Sequence, residues 1–289
     1  MNAPLRRLSA IAGTTFTELV RLRVFYVLVL FALVLIVSSS FLARISFQQE
    51  LQVTKDIALG AVSFFLCLLA IAGGAQLLPR DVDDRVVYSV LAKPVPRFEY
   101  LLGKFLGLLA LLIVSVTVMS ALCLAVISLR EQTALRETAQ QYAQMPASER
   151  AVALQQIREA GVNTNLGIAL LLIFAKGTIL AALTLCVSTF ATSTIFTLSS
   201  MAMIYLVGHL EAIGRDYWLQ QHAAGTLTRV LIAILASVFP DLQAFNVSDQ
   251  IIAAGSLPSA LIWKLIELAA IYTFAYLSLA IAFFYQREL

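Results

Sequence analysis

Long apolar runs alternate with polar segments along this chain, and each run is long enough to cross a bilayer. An α-helix rises about 1.5 Å per residue, so about 20 apolar residues span a hydrocarbon core about 30 Å thick. The runs that meet this length are Val24–Ala43, Ala58–Pro79, Leu101–Ser128, Leu166–Phe190, Thr194–Ile213 and Ala260–Tyr285. The pattern predicts an all-α, polytopic membrane protein with six transmembrane helices.

Two further segments are apolar on one side or too short to cross. Between Leu5 and Arg23, apolar residues recur at helical spacing and basic residues fall largely on the other side, which predicts an amphipathic helix in the membrane interface. The alternative is a cytosolic extension of the first span. Val230–Phe239 is only about half a span long and ends before Pro240, so residues 227–255 are predicted to form a short re-entrant or external hairpin before the last span.

The link between the third and fourth spans, residues 129–165, is long and polar. Its four basic and four acidic side chains cancel in charge. Pro146 divides it, Ser148 is suited to cap a second helix and Gly161 to end that helix. We expect an external helical hairpin here, offering a surface to an extracytoplasmic partner.

Composition excludes several classes of protein. Hydrophobic residues make up 60% of the 289 and charged residues 13%, against about 25% in a typical soluble domain. The net charge of +3 comes from dispersed basic residues, so nucleic-acid binding has no support. The three cysteines lie inside apolar runs without a CxxC pair, which argues against a disulfide framework or a cysteine metal site.

Charge also predicts the orientation. With six spans both termini face the same side, and the N-terminal tail, the link between spans two and three and the C-terminal tail carry ten Lys and Arg. The other face carries five once the long hairpin is set aside. The positive-inside rule therefore places both termini in the cytoplasm of a multi-pass protein, expected in a bacterial inner membrane.

Motifs for catalysis are absent from the sequence. No GxxxxGK[ST] loop, GxGxxG, HExxH or GxSxG occurs. His209 and Glu211 offer two metal ligands near the outer end of the fifth span with no obvious third, so we interpret them as an interfacial pair facing water. The chain is predicted to be no enzyme, with neither a metal nor a cofactor of its own.

The segment from Leu78 to Gly107 is more structured than a simple connection requires. A helix is predicted from Asp81 to Ala92, and Pro94 ends it. Its acidic residues lie in the first turn, where the helix dipole favours negative charge, and its valines form an apolar stripe. The sequence VLAKPVPR over 90–97, followed by YLLGKFLG over 100–107, resembles the cytosolic region of ABC-2 type transporter permeases. Pro96 stands where that family more often has a small polar residue. The segment FPDLQAFNV over 239–247 also resembles the outer hairpin of the copper-enzyme-maturation (Nos-type) branch.

The resemblance covers the whole chain, 1–289, as a single ABC-2 type transmembrane domain. It implies the permease subunit of an ATP-driven exporter that pairs with a second permease, identical or a paralogue. It also implies a separate cytosolic ABC ATPase subunit that binds ATP and Mg²⁺, and a coupling helix in this chain that docks on that subunit. The docking residues implied are Asp81, Val82, Asp83, Asp84, Arg85, Val86, Val90, Lys93 and Arg97.

Some intramembrane residues invite a functional and a structural interpretation. Lys176 lies midway through the fourth span, where a lysine costs about 2.5–3.5 kcal/mol on insertion scales, so we expect it to face protein or water. A pathway or intersubunit role and a structural pair both fit it, and Thr197 and Ser200 either hydrogen-bond helices together or line a conduit. Gly103 and Gly107 form a GxxxG that either packs closely on another helix or occurs by chance.

Two other function classes compete with the permease. A secondary transporter or channel usually has several intramembrane ionisable residues and inverted repeats, whereas this chain has one clear mid-span charge and no detectable repeat. A membrane anchor for an external complex would use the hairpin over 129–165 as its docking face. Dependence on an ATPase would indicate the permease. Dependence on an ion gradient without an ATPase would indicate the secondary transporter or channel.

Overall fold

Helices form nearly all of the described part of the chain in the computed structural model. The structure describes residues 3–42, 50–83, 96–141, 147–191, 193–220, 240–246 and 258–286, and contains no strand there. The helices are α1 Ala3–Val20, α2 Arg23–Leu42, α3 Glu50–Asp83, α4 Arg97–Gln141, α5 Ala147–Ala160, α6 Thr164–Phe190, α7 Thr194–Gln220 and α8 Ser259–Gln286. The end of the bundle that carries α1 is called the α1 end below.

The centre of the bundle is built by α3 and α6. Most of the apolar stretch of each is buried against protein, and each packs on α4. Glycines allow the close approach: a Cβ added to Gly74 of α3 would lie 2.9 Å from Thr184 Cγ2 of α6. A Cβ added to Gly73 would lie 2.8 Å from Leu108 of α4. Small residues at such crossings bring helices together where lipid supplies no hydrophobic driving force.

Apolar side chains cover the outside of the bundle. On α2 and α8 only a minor part of the apolar stretch is buried, and large side chains such as Phe41 and Phe274 are exposed. Among the described residues, five helices, α2, α3, α4, α6 and α8, are long and apolar enough to cross a membrane, and α7 has a shorter apolar part, Thr194–His209. This exposed apolar belt confirms the predicted polytopic membrane protein, because a protein surrounded by water does not leave such a surface uncovered.

The first predicted span boundary to fail is the end of the second span. The sequence predicted that this span stops at Pro79 and that a new helix begins at Asp81. The structure instead carries α3 through Pro79 to Asp83, so Asp81 lies in a final turn of α3 and not in a first turn. Proline removes one intrahelical hydrogen bond, and transmembrane helices tolerate that loss where neighbours satisfy the freed carbonyl.

The fourth helix of the bundle is far longer than a bilayer crossing. Its 45 residues measure about 68 Å, so its last part projects beyond the bundle. There α5 packs beside it, and the Glu131 carboxylate accepts a hydrogen bond from the amide of Val162 at 3.0 Å. Arg130 donates to the carbonyl of Ser40 at the end of α2. The hairpin over 129–165 thus contains two helices, with the second beginning at Ala147, one residue before the predicted cap Ser148.

The predicted re-entrant hairpin falls mostly outside the described residues. Of residues 227–255, the structure describes 240–246, a turn that buries Leu242 and Phe245. The Leu242 amide donates to the carbonyl of Gly208 in α7 at 3.1 Å. This turn, called the 240–246 loop below, therefore packs on the middle of α7.

Thiol labelling tests the predicted orientation of the hairpin. Ala151 is exposed on α5, so Ala151→Cys should react with an impermeant thiol reagent in intact cells, since the native cysteines are buried. Thr14→Cys, exposed on α1 at the other end, is the matched control and should react only after lysis. Labelling of Ala151→Cys only after lysis would reverse the topology.

Candidate functional site

A polar cluster with a buried centre lies at the α1 end, on both sides of the link between α3 and α4. It consists of Glu18 of α1, Arg80 and Asp81 of α3, and Tyr100 and Lys104 of α4, and is called the α1-end cluster. Charged side chains are rarely buried unless they are paired. The cluster therefore needs an explanation from its contacts.

The centre of the cluster is an ion pair between α3 and α4. Lys104 Nζ lies 2.7 Å from Asp81 Oδ2, and both residues are buried, at 5% and 3% exposure. Tyr100 donates its hydroxyl hydrogen to the same carboxylate. Tyr100 and Lys104 are four residues apart and so share one face of α4, which aims both at Asp81. Two charge-assisted contacts satisfy a carboxylate that would otherwise be very costly to bury.

The N-terminal helix joins this cluster through a carboxylate of its own. Glu18 Oε2 lies 3.5 Å from Lys104 Nζ, and its other oxygen lies 3.8 Å from Arg80. Farther along α1, Arg7 lies 3.8 Å from the carboxylate of Glu99. The pairs with Arg80 and Arg7 are partly exposed and individually contribute little, about 0–1 kcal/mol. Their geometry nevertheless fixes α1 across the start of α4.

The GxxxG pair of α4 lies directly against α1. A Cβ added to Gly103 would lie 2.7 Å from Ile11 Cγ2. A Cβ added to Gly107 would lie 2.6 Å from Thr15 Cβ and 2.7 Å from the carbonyl oxygen of Ala12. The two glycines therefore form the groove that receives α1, which is a tertiary contact and not merely a helix at the lipid surface.

The last helix reaches the same region through Arg97. The Arg97 guanidinium donates to the carbonyls of Phe284 at 3.2 Å and Tyr285 at 3.0 Å, in the final turn of α8. These carbonyls have no partner within the helix, and a cation there complements the negative end of the helix dipole. Tyr100 also stacks on Phe284, with ring centroids 6.0 Å apart. The start of α4 is thus connected to α1, α3 and α8.

The predicted docking residues divide into three groups. Asp81 and Arg97 are engaged inside the bundle as described, although Arg97 is only partly buried. Val82 and Asp83 belong to the last turn of α3, and their side chains lie outside the described set. The remaining residues lie outside the described residues altogether: Asp84, Arg85, Val86, Val90 and Lys93.

Lys176 occupies a second polar position, deep in the bundle. It is 2% exposed, which confirms the expectation that it faces protein. Its ammonium lies 3.1 Å from His209 Nε2 of α7 and 6.0 Å from the centre of the Tyr205 ring. His209 is therefore a partner of Lys176, and the predicted pair with Glu211 falls on a side chain outside the described set. The described residues contain no group of three metal-ligating side chains.

Thr197 and Ser200 do not meet Lys176. Thr197 is buried, and its hydroxyl donates to the carbonyl of Ser193 one turn earlier. Along α7 it lies twelve residues, about 18 Å, from His209, and Ser200 lies about 14 Å from it. These hydroxyls belong to the α1 end, whereas Lys176 is about 21 Å from that end of α6.

Sequence reasoning singled out neither Lys104, Tyr100 and Glu18 as a cluster nor His209 as the partner of Lys176. One signal was present: Lys104 begins an apolar run as the only charge for more than twenty residues, and a tyrosine lies one turn before it. A charge at such a position usually has a specific partner. The identity of that partner depends on helix packing and was not available from spacing.

Comparison with protein families places the chain in a known one. A family model described as "ABC-2 family transporter protein" matches residues 9–289, nearly the whole chain. No curated protein matches it.

Substitution of Gly107 tests the groove on α4 that receives α1. Gly107→Ala should lower the free energy of unfolding by about 1–3 kcal/mol, because its Cβ would meet the backbone oxygen of Ala12, which cannot move aside. The matched control is Gly60→Ala, whose Cβ would meet nothing within 4 Å. Thermal unfolding of the purified protein compares the two. Equal melting temperatures for both variants would contradict the groove.

The ion pair of the cluster has its own test. Asp81→Asn should destabilise the protein by up to about 3–5 kcal/mol, because the substitution leaves Lys104 buried without its main partner. The loss is reduced by the attraction between Lys104 and Glu18, which remains. The double variant Asp81→Leu with Lys104→Met should recover most of that loss, measured by chemical unfolding. Glu137→Gln, exposed on α4, is the control. A double variant as unstable as the single one would refute the pairing.

Proposed function

Because the chain belongs to the ABC-2 family of transporter proteins, and is thus a permease subunit of an ABC transporter, we propose that it exports its substrate with energy from a separate cytosolic ATPase. ATP and Mg²⁺ would bind to that partner subunit. The observation that carries the proposal is the α1-end cluster, which holds both flanks of residues 84–95.

The two flanks are held by different contacts. On one side Asp81, two residues from the end of α3, pairs with Lys104 and Tyr100. On the other side Arg97 is bound to the carbonyls that end α8. The described residues on either side of 84–95 are therefore both anchored to the bundle. A displacement of this segment by a docked ATPase would be delivered to helices and not absorbed by a slack connection.

The same contacts define which helices receive the displacement. The Lys104–Asp81 pair joins α4 to α3, Glu18 adds α1, and Arg97 adds α8. Packed elements of this kind move as rigid bodies between discrete arrangements. The α1-end cluster thus supports a transmission role, with α1 as part of the moving unit.

Docking chemistry comes from the sequence of the segment itself. Val82, Val86 and Val90 recur at spacing four, and Asp83, Asp84 and Arg85 supply both signs of charge next to them. Interfaces of this kind depend on a few central apolar anchors and on charge pairs that lose their water. Lys93 completes the segment before Pro94. We propose these residues as the ATPase-docking site.

The remaining parts of the assembly follow from the exposed surface. A second permease subunit, identical or a paralogue, would cover part of the apolar belt, and the bilayer would cover the rest. We place both termini in the cytoplasm of a bacterial inner membrane, with the hairpin over 129–165 outside and available to an extracytoplasmic partner. A Nos-type relationship remains a proposal that rests on residues 239–247.

Loss of docking tests the proposal directly. Val86→Asp places a charge in the apolar stripe, and Asp84→Lys with Arg85→Glu inverts the neighbouring charges. Both variants should insert normally yet lose most ATPase co-purification and nearly all transport-linked ATP hydrolysis. The matched control is Val152→Asp, the same substitution on an exposed site of α5, which should leave both readouts unchanged.

Retention of full ATPase binding and hydrolysis in both docking variants would overturn the coupling assignment. A chain that transports in response to an ion gradient, with no ATPase present, would instead support a secondary transporter. Loss of binding in Val152→Asp alone would move the docking face to the hairpin.

A further inference from the structure

Lys176 places a buried amino group in the bundle, and its contacts there are with His209 and the ring of Tyr205. In the described part of the chain its ammonium makes no ion pair within 4.0 Å, and its hydrogen-bond partner is His209. An ammonium has three donor hydrogens, and an imidazole nitrogen accepts only one. The ammonium is therefore equipped to bind a further acceptor.

The hydrogen bonds of His209 fix its role. Its Nδ1 lies 3.0 Å from the carbonyl oxygen of Tyr205, which can only accept, so Nδ1 carries the hydrogen. Its Nε2 then has the lone pair and accepts from Lys176 at 3.1 Å. The imidazole is thus neutral and holds the ammonium in place without cancelling its charge.

In the described part of the chain, two titratable groups lie close enough to act on Lys176 electrostatically. The titratable groups that interact with it electrostatically are Cys67 of α3 and Asp241 of the 240–246 loop. The Asp241 carboxylate accepts the amide hydrogens of Gln243 at 3.0 Å and Ala244 at 3.1 Å, so it is held on its own loop. It influences the site from a distance and leaves the contact position on Lys176 to another group.

The surroundings of this cation are apolar and close to the outside of α7. Lys176 itself is buried, and Tyr205 and His209, which contact it, are partly buried. Next to them on α7 the side chains of Met203 and Leu206 are 63% and 55% exposed. A basic group that lies one side-chain layer beneath an apolar helix face is suited to bind an anionic head group, while the apolar face contacts an apolar tail.

The 240–246 loop packs on α7 next to this region. Leu242 packs on Gly208, the residue beside His209, and its amide donates to the Gly208 carbonyl. Both Lys176 and His209 lie about 21–23 Å from the α1 end of their helices, so the loop and the cation share one level of the bundle. The amino group of Lys176 therefore lies between α6 and α7, at the level of this loop.

We propose that Lys176, positioned by His209, binds the anionic group of an amphiphile, a phosphate or carboxylate joined to an apolar chain. The inference rests on the proposed export function for its physiological meaning, because it names the substrate class. The same chemistry is offered by a resident anionic phospholipid, and the experiment separates these two sources.

Direct binding tests the site without the ATPase. The purified chain in nanodiscs of phosphatidylcholine is titrated with radiolabelled dodecyl phosphate, and dodecanol serves as the neutral probe. Saturable binding of the phosphate is expected in the wild type and in Lys176→Arg. Affinity should fall by about tenfold or more in Lys176→Met, since the lost bond is made to a charged group. Lys264→Met removes an exposed lysine of α8 and is the matched control, with unchanged binding.

Each result decides the proposal. Equal affinity in the wild type and Lys176→Met, equal binding of dodecanol, or no saturable binding in the wild type overturns it. His209→Gln keeps an acceptor for Lys176 and should retain most of the binding, while His209→Leu should weaken it. Melting temperatures of all variants show whether a loss reflects misfolding, and Lys176→Arg provides a charged variant if Lys176→Met is unstable.

A second arm identifies the source of the anion. Where phosphatidylglycerol added to the nanodiscs displaces the dodecyl phosphate, the site holds a membrane lipid. Where binding persists, and the phosphate stimulates ATP hydrolysis by the complex with its ATPase, the site receives the substrate. Failure of the ATPase to assemble with the wild type would refute the proposed export function and leave the binding result standing by itself.

Discussion

The buried pair of Lys104 and Asp81 is the contact on which the α1 end depends. The two charged groups lie 2.7 Å apart, and both side chains are almost fully buried. A buried pair is weak evidence for stability, since apolar residues of similar size often replace one without loss. Its value here is positional: Tyr100, Glu18 and, through the same turn of α4, Arg97 bring α1, α3 and α8 to one point.

Much of the fold follows from the sequence because the bilayer imposes strong rules. Helix spans from Arg23, Thr164 and Ser259 agree with the apolar runs to within a few residues, since lipid leaves no other way to satisfy the backbone. The extension of α3 through Pro79 was missed because local rules favour a stop there, while packing at the α1 end favours continuation.

The site was less predictable for a related reason. Asp81 was interpreted as a dipole-favoured residue of a surface helix, whereas its partners Tyr100 and Lys104 are 19 and 23 residues away and meet it only after α3 and α4 have packed. The depth of Lys176 was predictable from the cost of a charge in lipid, but the choice of His209 as its partner depends on how α6 and α7 cross. The residue types in the sequence indicated which interactions were available, but tertiary packing determines which side chains pair.

The central claim is that an ATPase docks on residues 84–95 and that the α1-end cluster passes on the motion. Hydrogen–deuterium exchange of the permease, alone and with its ATPase, tests this most directly. The account predicts that amide protection rises in peptides covering 84–95 when the ATPase binds, with a smaller rise at the start of α4 and no change in α5. Increased protection of α5, or unchanged exchange across 84–95 in a complex that hydrolyses ATP, would contradict it.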